Sequence, residues 1–485
     1  MNWLHPHIPF IIAFALGAGA RTLAGITYQP ALLLLGDSVA YLNDAVHLRP
    51  PDWHPAMYSI FLWPFQHLHI TGVVPPLQHI LGLGAAVALY LLLLRLGLRP
   101  WVAAVACLPL LLDGYQIMME QFIVSEAFFL TLVVTAFVVL LWRERVSWVT
   151  GAVVASLISL ATLTRVVGLV LIPIVLVYVC IRRRSLAAIA ATVVAAAVPL
   201  VLYASWYNSA HGSFKLTGNT WITLYGRVAP FADCSNLELP QKEAILCDPR
   251  PESARPGPNY YLFHPMSPVR RLPVGEANDL FRRFSTRIIM DQPGRYLRLV
   301  AGDFAHYFVP GRYADRWQDP LAVYRLGQPL PGPPWVMLMP DMSIRQLYKR
   351  VLLLVNEHVP LPNPEPSVGL HHFMRRYQDV AVTPGPLLAL AALLGLLGLF
   401  GPRRPGERSL RAEGVVLSVS GLALLLTPSA TAVFDYRYLL PALPLLSAAG
   451  VIGATSLYRR LSGPSQEARA SGIPTGTHEY TERSS

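Results

Sequence analysis

Long apolar runs separated by short polar breaks occupy both ends of the chain, and one long polar stretch lies between them. Ten runs read as membrane-spanning helices, at about 8–28, 73–94, 100–118, 122–141, 148–163, 166–181, 186–207, 385–400, 412–431 and 438–457. Crossing the hydrocarbon core takes roughly 20 predominantly apolar residues, and the fifth, sixth and eighth runs sit near the lower limit. The first run has no basic stretch ahead of it, carries Arg21 within it and shows no small-residue cleavage site, so it reads as a span and not as a signal peptide. The expected fold is an all-α polytopic membrane protein with a mixed outer-face domain. Its expected parts are an N-terminal transmembrane module at 1–207 with an outer re-entrant loop at 36–72, an extracytoplasmic domain at 208–383, a C-terminal transmembrane module at 384–461 and a disordered tail at 462–485.

Composition agrees with the pattern. Of the 485 residues, 53% are hydrophobic and 14% charged, where soluble proteins carry about 25% charged residues. Lys and Arg number 39 against 28 Asp and Glu, a net charge of +11. Such a surplus can mark a nucleic-acid binder, so its location matters more than its size. With the N-terminus inside, the cytoplasmic loops and tail hold 15 arginines, at 95, 99, 143, 145, 182–184, 403, 404, 408, 411, 459, 460, 469 and 483. The opposite short loops hold three, Arg49, Arg165 and Arg437. That asymmetry follows the positive-inside rule. It predicts a multi-pass protein of the plasma (inner) membrane with both termini cytoplasmic, and it leaves no charge that needs a nucleic acid.

The polar stretch 208–383 falls on the outer side and is rich in Pro and aromatic residues. Helical apolar spacing at Gly294–Val309 and Ile344–Val355 suggests amphipathic helices lying on the membrane; a few strands are expected among the loops. Cys107 and Cys180 lie in apolar runs and read as packed thiols. Cys234 and Cys247, 13 positions apart on the outer side, read as a disulfide. A metal pair is the alternative, but no neighbouring Cys or His completes a zinc pattern. The glycines around Gly82 lack the preceding strand of a dinucleotide fingerprint and read as helix packing. His67 with His69, and His371 with His372, lack metal-site spacing.

Charge near lipid is costly and usually functional, which singles out the outer-edge polar residues. Asp37 and Asp44 lie in LLLLGDSVAYLNDAVHL just beyond the first run, where Asp37 either caps a helix or does chemistry. His54 opens HPAMYSIF; Asp113 and Glu120 flank DGYQIMMEQF; Glu126 opens SEAFF; Arg165 lies in LTRVVG; Asp435 and Arg437 lie in FDYRYLLPALPLL. Each alone could be a helix-packing ion pair. Together they place acids and two arginines on one membrane face.

The ordered set GDSVAYL, HPAMYSIF, SEAFFLTLVV, LTRVVGLVLIP and RYLLPALPLL resembles the GT-C membrane glycosyltransferases. The nearest likeness is to the branch containing protein O-mannosyltransferases and the lipid A aminoarabinose transferase. It covers the first seven runs and the last. The resemblance implies a polyprenyl-phosphate-linked sugar donor, a reaction on the outer face and an acidic base or acceptor-positioning group in the first loop, which maps to Asp37. Two positions depart from that pattern. Asp37 is followed by Ser38 where many relatives pair two acids, and His54-Pro55-Ala56 stands where His-Pro-Pro is usual.

The chemistry needs a carboxylate to take a hydroxyl proton and arginines to hold the departing phosphate. The expected catalytic residues are Asp37, His54 and Glu126, with Arg165 and Arg437 on the donor phosphate. Asp44, Tyr41, Glu120 and Asp435 are supporting or acceptor-side candidates. No cofactor is expected, and a divalent metal finds no supporting ligand pattern. The expected partners are a polyprenyl-phosphate sugar donor, a glycan, lipid or protein acceptor, and membrane lipids. A transporter or flippase, and a non-catalytic assembly protein of GT-C shape, are the alternatives. Polar residues confined to one edge favour the transferase over a transporter, which needs them near mid-bilayer.

Overall fold

A computed structural model describes residues 4–461 except 29–30, 35, 183–185, 236, 265, 273–276, 312–367 and 403–409. The expected helix at Ile344–Val355, the arginines at 183, 184, 403, 404 and 408, and the tail lie outside the described residues. In chain order the helices are α1 (Ile8–Thr27), α2 (Asp37–His47), α3 (Met57–His67), α4 (Val74–Arg95), α5 (Pro100–Leu112), α6 (Gly114–Gln121), α7 (Glu126–Leu141), α8 (Trp148–Thr164), α9 (Leu171–Arg182) and α10 (Leu186–His211). A further unit after α10 holds α11 (Thr220–Val228), α12 (Gln241–Ala244), α13 (Pro258–Phe263), α14 (Ala277–Asp291) and α15 (Pro293–His306). Then follow α16 (Val368–Val380), α17 (Gly385–Leu397), α18 (Arg411–Thr431) and α19 (Ala442–Leu461).

A helix falls on each of the ten apolar runs. Four are long and apolar enough to cross a membrane alone: His5–Thr27, Thr71–Arg95, Leu186–His211 and Arg411–Thr431. Counting each of two bent pairs as one span raises the number to six. The helices over 126–141, 148–164 and 166–182 are apolar but shorter. The protein is a multi-pass membrane protein of helices. Where a few strands are expected outside, the described residues form helices, and the one bridge, Leu32 to Phe122, is isolated.

Broken helices explain how the site is assembled. α5 ends at Asp113, whose extended backbone turns the chain by 47° into α6. A break at membrane depth frees carbonyls that no water can satisfy. Arg21 of α1 donates to Leu110 O at 2.9 Å and Leu111 O at 2.7 Å, and Tyr377 donates to Leu112 O at 2.6 Å. Asp113 caps α6 by accepting from the Tyr115 amide, and its other oxygen accepts from Thr383. At the far end of α6, Gln78 donates to Glu120 O and Phe122 O at 2.8 and 2.7 Å. The bridge then ties Leu32 to Gln121 and Ile123. That single pairing brings the start of α2 beside the start of α7.

The unit after α10 has its own small core, in which Tyr225, Leu246, Tyr261, Phe281, Phe284 and Ile288 are buried. Cys234 and Cys247 are bonded. Closing a loop of that length removes unfolded-chain entropy worth about 3 kcal/mol. Cys234→Ser with Cys247→Ser should therefore destabilise this unit by about that amount. Thermal unfolding of the pair variant beside the oxidised and reduced parent checks it. α15 coincides with the expected amphipathic segment; Tyr296 on it donates to Ala430 O of α18 at 3.0 Å, while Leu297 is exposed.

Candidate active site

α2 begins at Asp37 with Gly36 as N-cap and no side-chain cap. The capping reading of Asp37 is thereby corrected: its carboxylate turns outward to pair with the Arg437 guanidinium, 400 positions away in sequence. Arg437 stands on a short 3-10 turn, Tyr436–Leu439, whose start is capped by Asp435 accepting from the Arg437 amide at 2.9 Å. The Asp435 carboxylate also lies 3.3 Å from Arg437 Nε. Arg165, at the extended link after α8, pairs with Glu126 in the first turn of α7. Arg437 approaches the same Glu126 oxygen at 3.8 Å.

The charges therefore alternate: Asp37, Arg437, Glu126, Arg165. Both guanidinium groups lie over the Tyr438 ring, at 5.2 and 5.4 Å from its centroid, an attraction that holds cations side by side at modest cost. Ser125 joins the cluster to α2, since its hydroxyl lies 3.4 Å from Arg165 Nη1 and 2.9 Å from the Tyr41 hydroxyl. Tyr41 carries the His54 ring at 4.1 Å, and His54 Nε2 lies 3.4 Å from Asp44. Eight of the nine sequence-predicted side chains thus meet in one partly open cluster. Asp37 is 27% exposed, enough to meet a ligand, while Glu126 is buried.

Glu120 does not belong there. It sits in a separate buried cluster, where Arg21 donates to both of its oxygens, His79 Nδ1 lies 2.8 Å from one and Gln116 donates to the other. Gly82 allows this approach, because a Cβ there would lie 2.1 Å from a Glu120 oxygen. The sequence also gave no sign of Ser125, Tyr438 or Tyr58, which donates to Gln78 at 2.8 Å and packs edge-on to Tyr41. These are neutral residues in aromatic-rich surroundings, and neutrality carries no burial cost to flag them.

Electrostatics fix the resting state. Burial pushes the Asp37 carboxyl up, but Arg437 outweighs it and, with Arg165 and His54, holds the group below the ordinary carboxylate range. Asp37 is therefore an anion whose charge is already answered. Among the described residues no three His, Cys, Asp or Glu side chains are grouped to hold a metal ion.

No family model matches the chain, and no curated protein matches it. Two solved structures resemble it distantly. One is the S. cerevisiae protein O-mannosyltransferase Pmt1-Pmt2 complex bound to the sugar donor, at 17% identity and a TM-score of 0.34 over 50% of this chain and 38% of that one. The other is the Archaeoglobus fulgidus oligosaccharyltransferase in the apo form, at 12% identity and a TM-score of 0.41 over 98% of this chain and 53% of that one. This chain spans about half of the second and less of the first. Likenesses this remote carry no activity over to this chain, so what the cluster can do rests on its own residues.

Proposed function

We propose that the protein is an integral-membrane glycosyltransferase that moves a sugar from a polyprenyl-phosphate donor to an acceptor hydroxyl on the outer face of the membrane. The observation that carries the reading is the pair of arginines on one tyrosine ring, interleaved with two carboxylates at one edge of the helical bundle. A phosphate is the ligand such a pair suits, because guanidinium forks bind its oxygens bidentately. In the resting state the carboxylates occupy the forks. A donor phosphate entering the cluster takes Arg437 and Arg165 from them, and Asp37, freed of its cation, becomes basic enough to act.

The reaction then balances simply. Asp37 accepts the proton of the acceptor hydroxyl, the acceptor oxygen bonds to the anomeric carbon, and the bond from that carbon to the phosphate oxygen breaks. The leaving polyprenyl phosphate gains negative charge, which the two arginines stabilise more strongly than in the ground state. Purified protein supplied with labelled polyprenyl-phosphate sugars and an acceptor extract tests the reading. Label should pass to the acceptor, and its retention on the lipid under all conditions would overturn the proposal.

Two further results are expected. Arg437→Ala should weaken donor binding by about 1.5–3 kcal/mol, the worth of a charge-assisted hydrogen bond, as read by donor titration. Arg165→Ala should do the same and also destabilise the fold, because Glu126 would lose its hydrogen-bonded partner and keep only Arg437 at 3.8 Å, while its second oxygen is already buried without one; the added change Glu126→Gln should restore stability but not affinity. The orientation makes the other prediction. Lys215→Cys, at an exposed position after α10, should react with an impermeant thiol reagent from outside, and labelling only from the cytoplasm would reverse the topology.

A further inference from the structure

His54 carries a buried atom that the fold leaves unused. The residue is 8% exposed, and its ring is held against Tyr41. Nδ1 faces the Pro55 carbonyl oxygen at 3.4 Å, which makes it the protonated nitrogen. Nε2 is then a lone-pair acceptor, buried and without a hydrogen-bond partner. Asp44 Oδ2 lies 3.4 Å from it and is an acceptor too. Burial pushes the Asp44 carboxyl up to about 6 and the His54 imidazole down to about 4, so near neutrality the ring is uncharged and the carboxyl ionised. With Nδ1 carrying the ring proton, two acceptors lie side by side and neither supplies the other with a donor.

The arrangement is tied down by contacts from neighbouring segments. His211 Nε2 lies 2.7 Å from Pro50 O, Tyr207 donates to the Asp52 carboxylate, and Asn219 donates to Trp53 O. The Gly218 amide donates to Asp52 O at 2.8 Å, an approach so close that a Cβ there would lie 1.9 Å from Asp52 Oδ1 and displace the carboxylate. Ala56 N donates to Tyr203 Oη at 3.1 Å. The loop that carries His54 is thus stitched to α10 and to the start of the unit after it.

Position supplies the rest. Asp37, Tyr41 and Asp44 are at i, i+4 and i+7 of α2 and share one face. Asp44 lies about 10 Å along the helix from Asp37, room for one pyranose ring beyond the phosphate arginines. We propose that His54 Nε2 and Asp44 form a subsite for a vicinal diol, each acceptor taking one O–H of a sugar ring. This rests on the transferase reading above and names what that site recognises. The ring is that of the transferred sugar or of a glycan acceptor.

The test uses the full chain in lipid nanodiscs. The donor probes are short-chain polyprenyl monophosphates of mannose, glucose and galactose with their 2-, 3- and 4-deoxy forms; the acceptor probes are alkyl hexosides with the same deletions. Removal of either of two adjacent hydroxyls on one ring should lower kcat/KM by at least about 10²-fold, because a site built to bind a hydroxyl rejects the analogue that lacks it. The arm in which the loss occurs identifies the ring. His54→Phe, which keeps the ring against Tyr41, and His54→Gln, should each flatten the discrimination at one of the two hydroxyls, and Asp44→Val at the other. Equal use of every deoxy probe by the wild type, or discrimination unchanged in both His54 variants, overturns the subsite alone. Failure of any parent donor to be transferred, or to displace a labelled parent in binding, overturns the transferase reading and the subsite together.

Discussion

Asp37→Asn is expected to lower the rate of transfer by about 10²–10⁴-fold, the span that a positioned general base contributes, while donor affinity holds or rises. The two halves of that expectation have different causes. Loss of the rate follows from removing the only function an amide cannot supply, acceptance of the hydroxyl proton. Retained or tighter binding follows from the resting ion pair, because Asp37 competes with the donor phosphate for Arg437. A purely structural Asp37 would give the opposite, a weaker fold and a disordered Arg437. The same competition sets a pH signature. Arg437 keeps the Asp37 carboxyl below its ordinary range in the free protein, so the acid limb of kcat/KM should fall below that range. Once phosphate has taken the arginine, the carboxyl rises, and the acid limb of kcat should lie at higher pH than that of kcat/KM. Limbs that coincide would mean that Asp37 and Arg437 never separate.

What could be read from the sequence was set by cost. Asp37, Glu126, Arg165 and Arg437 stand out in an apolar chain because a charge at the membrane edge must be answered by something, and they do converge. Their pairing was not legible, since Arg437 reaches Asp37 only through the bridge of Leu32 to Phe122 and the turn capped by Asp435. Apolar runs locate the helices, but not which of them cross alone: the runs at 122–141 and 148–163 form helices, over 126–141 and 148–164, too short for that by themselves. The sequence places Glu120 with Asp113 among the outer-edge charges, within DGYQIMMEQF. The break between α5 and α6 instead carries it into the bundle, toward Arg21 and His79, and no local pattern encodes that turn of 47°. His54 was chosen for its Pro55 neighbour, and the reason it matters, an acceptor left over beside Asp44, is visible only in three dimensions.

Arg21→Met should destabilise the protein by about 3–5 kcal/mol, at about 1–3 kcal/mol for each buried carbonyl left without its donor, and it should do so more severely than Glu120→Gln. Both partners are buried, Arg21 at 2% side-chain exposure and Glu120 at 0%. Their remaining contacts differ. Without Arg21, Glu120 keeps His79 and Gln116, but the carbonyls of Gly17, Leu110 and Leu111 lose a donor in a region where no water replaces it. Without the Glu120 charge, Arg21 still donates to those carbonyls, and two of them, Leu110 and Leu111, lie at the C-terminal end of α5, where the helix dipole favours a cation. The double variant should therefore unfold close to Arg21→Met alone, since the carbonyls of the broken helix, and not the carboxylate, are the larger debt. Thermal unfolding of the two single variants and the double in one detergent measures the cycle. Equal losses for the two single variants would mean that the ion pair itself holds α1 to α6, and that the α5 carbonyls find other donors when Arg21 is gone.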